Sequence, residues 1–193
     1  MQFPPLYVLR HGQTEWNAEH RIQGRLDSRL TEQGRAEALA QRRIMSRRDL
    51  SGHRAFSSPQ GRAFHTAALA LDGLVSAIHT DPRLAEISVG DWEGLRRADV
   101  MPSLVADESE ESALELYDLA PGGEGFLALH VRCRDFLATL SGPSVLVTHG
   151  ITSRMLRLIV LGLEIDKIGT LPGGQGVVYH LCDGRMDRLA IGA

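Results

Sequence analysis

Apolar residues in this chain fall into short unbroken runs, separated by longer stretches in which they recur every three or four positions. Leu6, Tyr7, Val8 and Leu9 form one such run. It is too short for a helix core and rich in strand formers, so it predicts a strand buried on both faces. The runs at 54–57 (RAFS), 77–80 and 144–148 (SVLVT) predict three more. Between them, Ala36, Leu39, Ala40 and Ile44 line one face of a helix that Thr31 caps and Glu32 opens, with Arg42, Arg47 and Arg48 near its negative end. Ser58-Pro59 predicts a second helix start, serine at the N-cap and proline in the first turn, running to about Leu71. The spacing of Phe126, Leu129, Cys133, Phe136, Leu137 and Leu140 predicts a third helix, and 151–161 a fourth. The polar stretch 18–30, interrupted by Gly24, predicts a loop over the end of the sheet, and 176–191 a closing hairpin turned at Asp183-Gly184. Strands alternating with helices give an open α/β sheet.

Chemistry concentrates where strands stop. Arg10, His11 and Gly12 follow the first strand, and His149-Gly150 follows SVLVT. Ligands in open α/β sheets gather outside the carboxyl ends of the strands, where glycine lets the backbone approach a ligand closely. A guanidinium offers a planar fork to an oxyanion, while an imidazole attacks phosphorus, relays a proton or binds metal. One Arg-His pair at a strand end is ordinarily a solvated terminus, but two strand-histidine-glycine units are harder to dismiss. Arg62, near the start of the second helix, adds a formal charge to a field that already favours anions. Gln13, Thr14, Asn17 and Gln23 offer uncharged donors, whereas His65 reads as a surface histidine. Glu86 and Glu93 flank Trp92; either is a solvated loop acid, or one sits against apolar surface near a bound anion, raised toward the range of a general acid.

Composition narrows the classes. A chain of 193 residues with 43% hydrophobic and 23% charged residues suits one globular domain. The formal charge of -3 argues against a nucleic-acid binder. Cys133 and Cys182 lack the spacing of a metal or redox motif, so both are expected as reduced thiols. No stretch has the length of a membrane span or the layout of a signal peptide, so a cytoplasmic protein is expected, as monomer or homodimer, without membrane partners. Residues 95–121 change character. Asp107, Glu108, Glu110 and Glu111 form an acidic run beside a helical stretch at 113–119, and Pro121-Gly122-Gly123 ends it. A run of this sign repels anions, so it reads as a solvated helical insertion over the cleft mouth.

Taken in order, LRHGQTEWN at 9–17, QGRLDSRLTEQGR at 23–35, SSPQGRAFHTA at 57–67, the glutamate of LAEISVGDWEG, PGGEG at 121–125 and VTHG at 147–150 resemble the histidine phosphatase superfamily, the phosphoglycerate mutase-like fold. The resemblance implies a three-layer αβα sandwich with a mostly parallel central sheet, forming one domain over 1–193 with a small helical cap at about 95–121. It implies a metal-independent phosphomonoesterase without cofactor, acting on a small phosphorylated substrate. His11 resembles the nucleophile that becomes phosphorylated, and Glu86 the proton donor. Arg10, Arg62 and His149 resemble the phosphate pocket, with Asn17, Gln23, Gly24 and Gly150 beside it. Arg29 stands where the family has proline, His65 where it has glutamine, and Gly125 where it has serine.

Two rival functions follow. A mutase would return the phosphoryl group to a second position of its substrate; the larger mutases carry a longer, basic insertion, whereas here Arg96 and Arg97 give way to acids, which favours hydrolysis. A module that binds a phosphoester without turning it over would keep the same architecture.

Overall fold

The computed structural model describes residues 3–100 and 114–191. Six strands form one sheet in the order β3-β2-β4-β1-β5-β6. They are β1 (Leu6–Arg10), β2 (Arg54–Ser57), β3 (Ile78–Thr80), β4 (Ser144–Thr148), β5 (Val178–Cys182) and β6 (Arg185–Leu189). β1 pairs in parallel with β4, β4 with β2 and β2 with β3, while β5 runs antiparallel to β1 and β6 antiparallel to β5. The sheet is therefore mostly parallel, as expected, and the antiparallel edge is the predicted hairpin. Asp183 and Gly184 have φ of 51° and 72°, and Cys182 opposes Arg185, which is a two-residue turn with both central residues left-handed.

The apolar runs bury both faces because side chains alternate along a strand. Leu6, Val8, Leu146 and Tyr179 enter one core cluster, and Tyr7, Leu9, Val145, Val147 and Val178 enter the other. On the second side lie α2 (Glu32–Met45), through Ile44 and Met45, and α3 (Gly61–Leu71), through Ala67, Ala70 and Leu71. On the first lie α5 (Gly125–Leu137) and α6 (Gly150–Leu161). This is the three-layer sandwich. The helix after β4 covers one face, whereas the helices after its neighbours β1 and β2 cover the other. Divergence of helices between adjacent parallel strands opens a crevice at their carboxyl ends.

Two local readings change, and a third lies outside the described residues. A one-turn helix, α1 (Glu15–Ala18), begins before the predicted loop; Thr14 and Asn17 form a capping box that closes it. α3 starts at Gly61 with Gln60 in the N-cap position, so Ser58 is not its cap and Pro59 precedes its first turn. The stretch between α4 (Arg97–Val100) and the 3₁₀ helix Leu114–Leu119 contains the acidic run, which lies outside the described residues. Thr31 caps α2 as read from sequence, accepting from the Gly34 amide. Cys133 is buried and unpaired, with burial pushing its thiol up to about 12, and Cys182 is also unpaired.

Gly12 turns the chain out of β1 at a point with no room for a side chain: a Cβ there would stand 2.1 Å from the Gly34 carbonyl oxygen of α2. Its amide also donates to Thr66 Oγ1 of α3 at 3.1 Å. Because the obstacle is backbone, Gly12→Ala is expected to lower stability by about 3 kcal/mol. Urea denaturation followed by circular dichroism measures this, and a midpoint equal to wild type would refute the packing argument.

Candidate active site

The sheet order brings the three chemically active strand ends together. β4 lies between β1 and β2, and its pairing continues one residue past each neighbour: the His11 amide donates to the Thr148 carbonyl at 2.9 Å, and the Ser58 amide to the Val147 carbonyl at 2.9 Å. His11, Ser58 and His149 thus leave adjacent strands at one edge. The rings of His11 and His149 stand edge to face, centroids 5.2 Å apart. A cleft of about 520 Å³, counting its open mouth, lies over this edge, lined among others by Arg10, His11, Asn17, Arg62, Glu86 and Gly150.

His11 has a defined tautomer. Its Nδ1 lies 2.8 Å from the Gly12 carbonyl oxygen, which only accepts, so Nδ1 carries the hydrogen. Nε2 is then a lone pair, and Arg62 Nε donates to it at 3.3 Å. Burial, then the Arg62 and Arg10 charges, hold His11 well below the ordinary imidazole range. Burial followed by Arg62, His11 and Arg10 does the same to His149. Both rings are neutral at pH 7. His149 Nε2 lies 2.7 Å from Ser58 Oγ, while its Nδ1 is buried with no hydrogen-bond partner among the described residues.

Arg62 sits deeper and is more occupied than a surface fork. It is 1% exposed, and its Nη1 donates to the Leu26 carbonyl at 2.6 Å and to Asp27 Oδ1 at 2.9 Å, with Nη2 donating to the Gly24 carbonyl at 3.0 Å. Of its five hydrogens, one on Nη2 and the Nε hydrogen now on His11 remain for an oxyanion. Gly24 is needed as glycine: its φ is 51°, and a Cβ would stand 2.5 Å from Glu93 Oε1. Asp27 and Gln60 are site residues that the sequence reading missed. Gln60 Nε2 donates to the Gly24 carbonyl at 3.0 Å while its Oε1 accepts from the Glu86 amide at 2.7 Å, tying the two loops together.

The two glutamates separate by role. Glu93 Oε1 accepts from the Arg25 and Val89 amides and from Ser88 Oγ, which makes it a loop clasp. Glu86 lines the cleft, set not on apolar surface but on the amino end of α6. Its Oε1 accepts from the Ile87 and Thr152 amides and shares the one Thr152 hydroxyl hydrogen with the Ala85 carbonyl, each at 2.9 Å, while among the described residues its Oε2 accepts from the Ile151 amide alone. Oε2 therefore has the open position for a proton.

The remaining sequence-derived residues also reach the cleft. Gly150 accommodates Arg10, whose Cζ would stand 3.3 Å from a Cβ there. Asn17 lines the cleft, and its Oδ1 accepts from the Thr14 amide and hydroxyl, each at 3.0 Å. Gln23 is buried, with Oε1 accepting from Ser28 Oγ at 3.1 Å. The glutamate of PGGEG is structural: Glu124 pairs with Arg132 at 2.7 Å and accepts from the Ser88 amide at 2.9 Å. Among the described residues no cluster of three or more histidine, cysteine or acidic side chains has the arrangement to hold a metal ion.

A buried neutral imidazole ringed by guanidiniums, at the carboxyl edge of a three-layer sandwich, defines a phosphoryl-transfer site of the phosphohistidine kind. The chain belongs to the histidine phosphatase superfamily (branch 1), whose family model matches residues 6–185. It is 32% identical over 185 residues to a glucosyl-3-phosphoglycerate phosphatase of Mycobacterium tuberculosis, covering 89% of this chain and 81% of that one. A probable phosphoglycerate mutase of Erwinia tasmaniensis is 36% identical over 171 residues, covering 83% and 76%. The solved mycobacterial glucosyl-3-phosphoglycerate phosphatase complexed with VO3 superposes with a TM-score of 0.78 at 28% identity, covering 97% of this chain and 98% of that one.

The depressed histidines make stability depend on pH. Above about pH 6.5 both the folded and unfolded imidazoles are neutral. As pH falls through that value the unfolded chain binds protons that folded His11 and His149 do not, so stability is lost on the acid side. The urea midpoint is expected to drop between about pH 7 and about pH 5, at up to about 1.4 kcal/mol per pH unit for each histidine, and His149→Gln to flatten the slope. A wild-type midpoint level across that range would contradict the burial of neutral rings.

Proposed function

We propose that this chain is a phosphomonoesterase that hydrolyses a small phosphorylated substrate through a phosphohistidine on His11. The observation that carries the reading is the His11 geometry: Nδ1–H committed to the Gly12 carbonyl, Nε2 left as a lone pair beside a buried guanidinium. That is an imidazole prepared as a nucleophile.

In the first step the Nε2–P bond forms and the P–O ester bond breaks, with the departing oxygen taking a proton from Glu86. In the second, water loses a proton to Glu86, its oxygen joins phosphorus, and the P–Nε2 bond breaks to release inorganic phosphate. Charge gathers on the equatorial oxygens throughout, where Arg10, Arg62, His149 and the Asn17 side-chain amide supply donors. Arriving phosphate oxygens take over the Arg62 Nε hydrogen, which frees the lone pair to attack. We assign residues 95–100 and 114–121 to a cap at this cleft, since Arg97, Leu114 and Tyr117 line it; the acidic run between them lies outside the described residues. The substrate meets this cap with whatever its phosphate is attached to.

A second reading, return of the phosphoryl group to substrate, is favoured by the likeness to a probable phosphoglycerate mutase. Release of inorganic phosphate from an aryl phosphate, without interconversion of phosphoglycerates after priming with bisphosphoglycerate, decides for hydrolysis.

His11→Ala is expected to cut turnover by at least about 10³-fold, the scale of losing a covalent nucleophile, and to abolish an acid-labile phosphoenzyme in rapid-quench mass spectrometry. Undiminished phosphate release from that variant would remove the mechanism. Glu86→Gln should slow alkyl phosphates by about 10²- to 10⁴-fold but nitrophenyl phosphate far less, because a good leaving group needs no proton. Equal losses on both substrates would show that Glu86 does not protonate the leaving oxygen.

A further inference from the structure

We infer that Ser58 is the residue that positions the second histidine: its hydroxyl donates to His149 Nε2 and thereby fixes His149 as an Nδ1–H donor toward the phosphoryl oxygens. The inference deepens the proposed reaction and rests on it for the identity of the oxyanion, though not for the tautomer itself.

Ser58 and His149 are both fully buried, so neither turns to water for a partner. Ser58 Oγ meets two groups among the described residues. It accepts from the Gln60 amide at 3.3 Å and lies 2.7 Å from His149 Nε2. The amide only donates, so the one acceptor within reach of the serine hydrogen is the imidazole nitrogen. If His149 instead donated from Nε2, the serine hydrogen and the Nδ1 lone pair would both be left unsatisfied in the interior. With serine donating, only the Nδ1 hydrogen is unmatched. Burial and the neighbouring guanidiniums keep the ring from carrying both protons. An unmatched buried donor beside the His11 ring, 5.2 Å between centroids, is what an incoming phosphoryl oxygen would satisfy.

The sheet explains the placement. Ser58 continues β2, His149 continues β4, and these strands are neighbours in register, Ser57 opposite Val147. The serine that the sequence offers as a helix cap is diverted to this bond, and α3 begins three residues later with no side-chain cap.

The test reads the tautomer directly. In protein labelled with ¹⁵N-histidine, two-bond ¹⁵N–¹H correlations at neutral pH, assigned by comparison with His149→Gln, should show His149 protonated at Nδ1 alone in the free enzyme. Ser58→Ala should lose that single tautomer, and weaken inorganic phosphate as a competitive inhibitor together with kcat/KM by roughly 10- to 100-fold. A wild-type ring protonated at Nε2 or at both nitrogens overturns the inference. So does a Ser58→Ala enzyme that keeps the Nδ1–H tautomer, or one that loses it with phosphate affinity unchanged. Should Ser58→Ala fail to fold, the wild-type spectrum alone decides. A wild-type enzyme with the expected tautomer but no phosphohistidine at His11 would sink the proposed reaction and leave the Ser58 assignment standing.

Discussion

The site depends on a guanidinium taken almost wholly out of water. Placing Arg62 at 1% exposure is costly unless its hydrogens are matched, and the chain matches them with the Gly24 and Leu26 carbonyls and the Asp27 carboxylate. Asp27 also accepts from the Arg62 backbone amide at 3.3 Å, so one carboxylate anchors both the head and the stem of the same residue at the start of α3. This clasp explains the glycine at 24, whose positive φ brings its carbonyl to the arginine, and the glycine at 61, where a Cβ would stand 2.5 Å from Asp27 Oδ2. The loop over the sheet edge is ordered by the arginine it encloses.

The same burial sets the protonation of the pocket. A cation held in low dielectric penalises any further positive charge nearby, so Arg62 and Arg10 keep both imidazoles neutral after desolvation has done the larger part. Neutrality has opposite uses in the two rings. In His11 the Gly12 carbonyl takes the Nδ1 hydrogen and leaves the lone pair on Nε2, the one the proposed reaction uses. In His149 a hydroxyl faces Nε2 and the unmatched nitrogen is Nδ1. Two chemically identical side chains at two equivalent strand ends differ only in which second residue each nitrogen meets.

How much of this is legible in the sequence follows from how far each interaction reaches. Strand ends, glycine turns, the Thr31 cap and the closing hairpin are local, and the structure places them where the apolar runs predict. Arg10, His11, Arg62, Glu86 and His149 are legible as reactive types at strand or helix ends, and they do line or flank one cleft. What the sequence does not carry is the partner of each. Gln60 bridging Gly24 and Glu86 spans 36 and 26 positions, Asp27 meets Arg62 across 35, and Ser58 meets His149 across 91. Such pairs depend on the strand order, in which β4 separates β1 from β2. The misplaced start of α3 has the same origin: Ser58-Pro59 is a sound local signal, overridden because a buried histidine competes for the same hydroxyl.

The carboxylates around the cleft sort themselves by partner, and that sorting argues for which of them moves a proton. Asp27 and Glu124 are ion-paired to Arg62 and Arg132, so protonating either would strand a partly or fully buried cation. Glu93 is spread over two backbone amides and a serine that hold the loop containing it. Glu86 forms no ion pair among the described residues; its charge is met by the amino end of α6, a set of dipoles fixed whether or not the acid is ionised. A group that cycles between acid and base within one turnover needs surroundings that do not rearrange at each step. Backbone amides, two on one carboxyl oxygen and one on the other, meet that requirement where a flexible arginine partner would not.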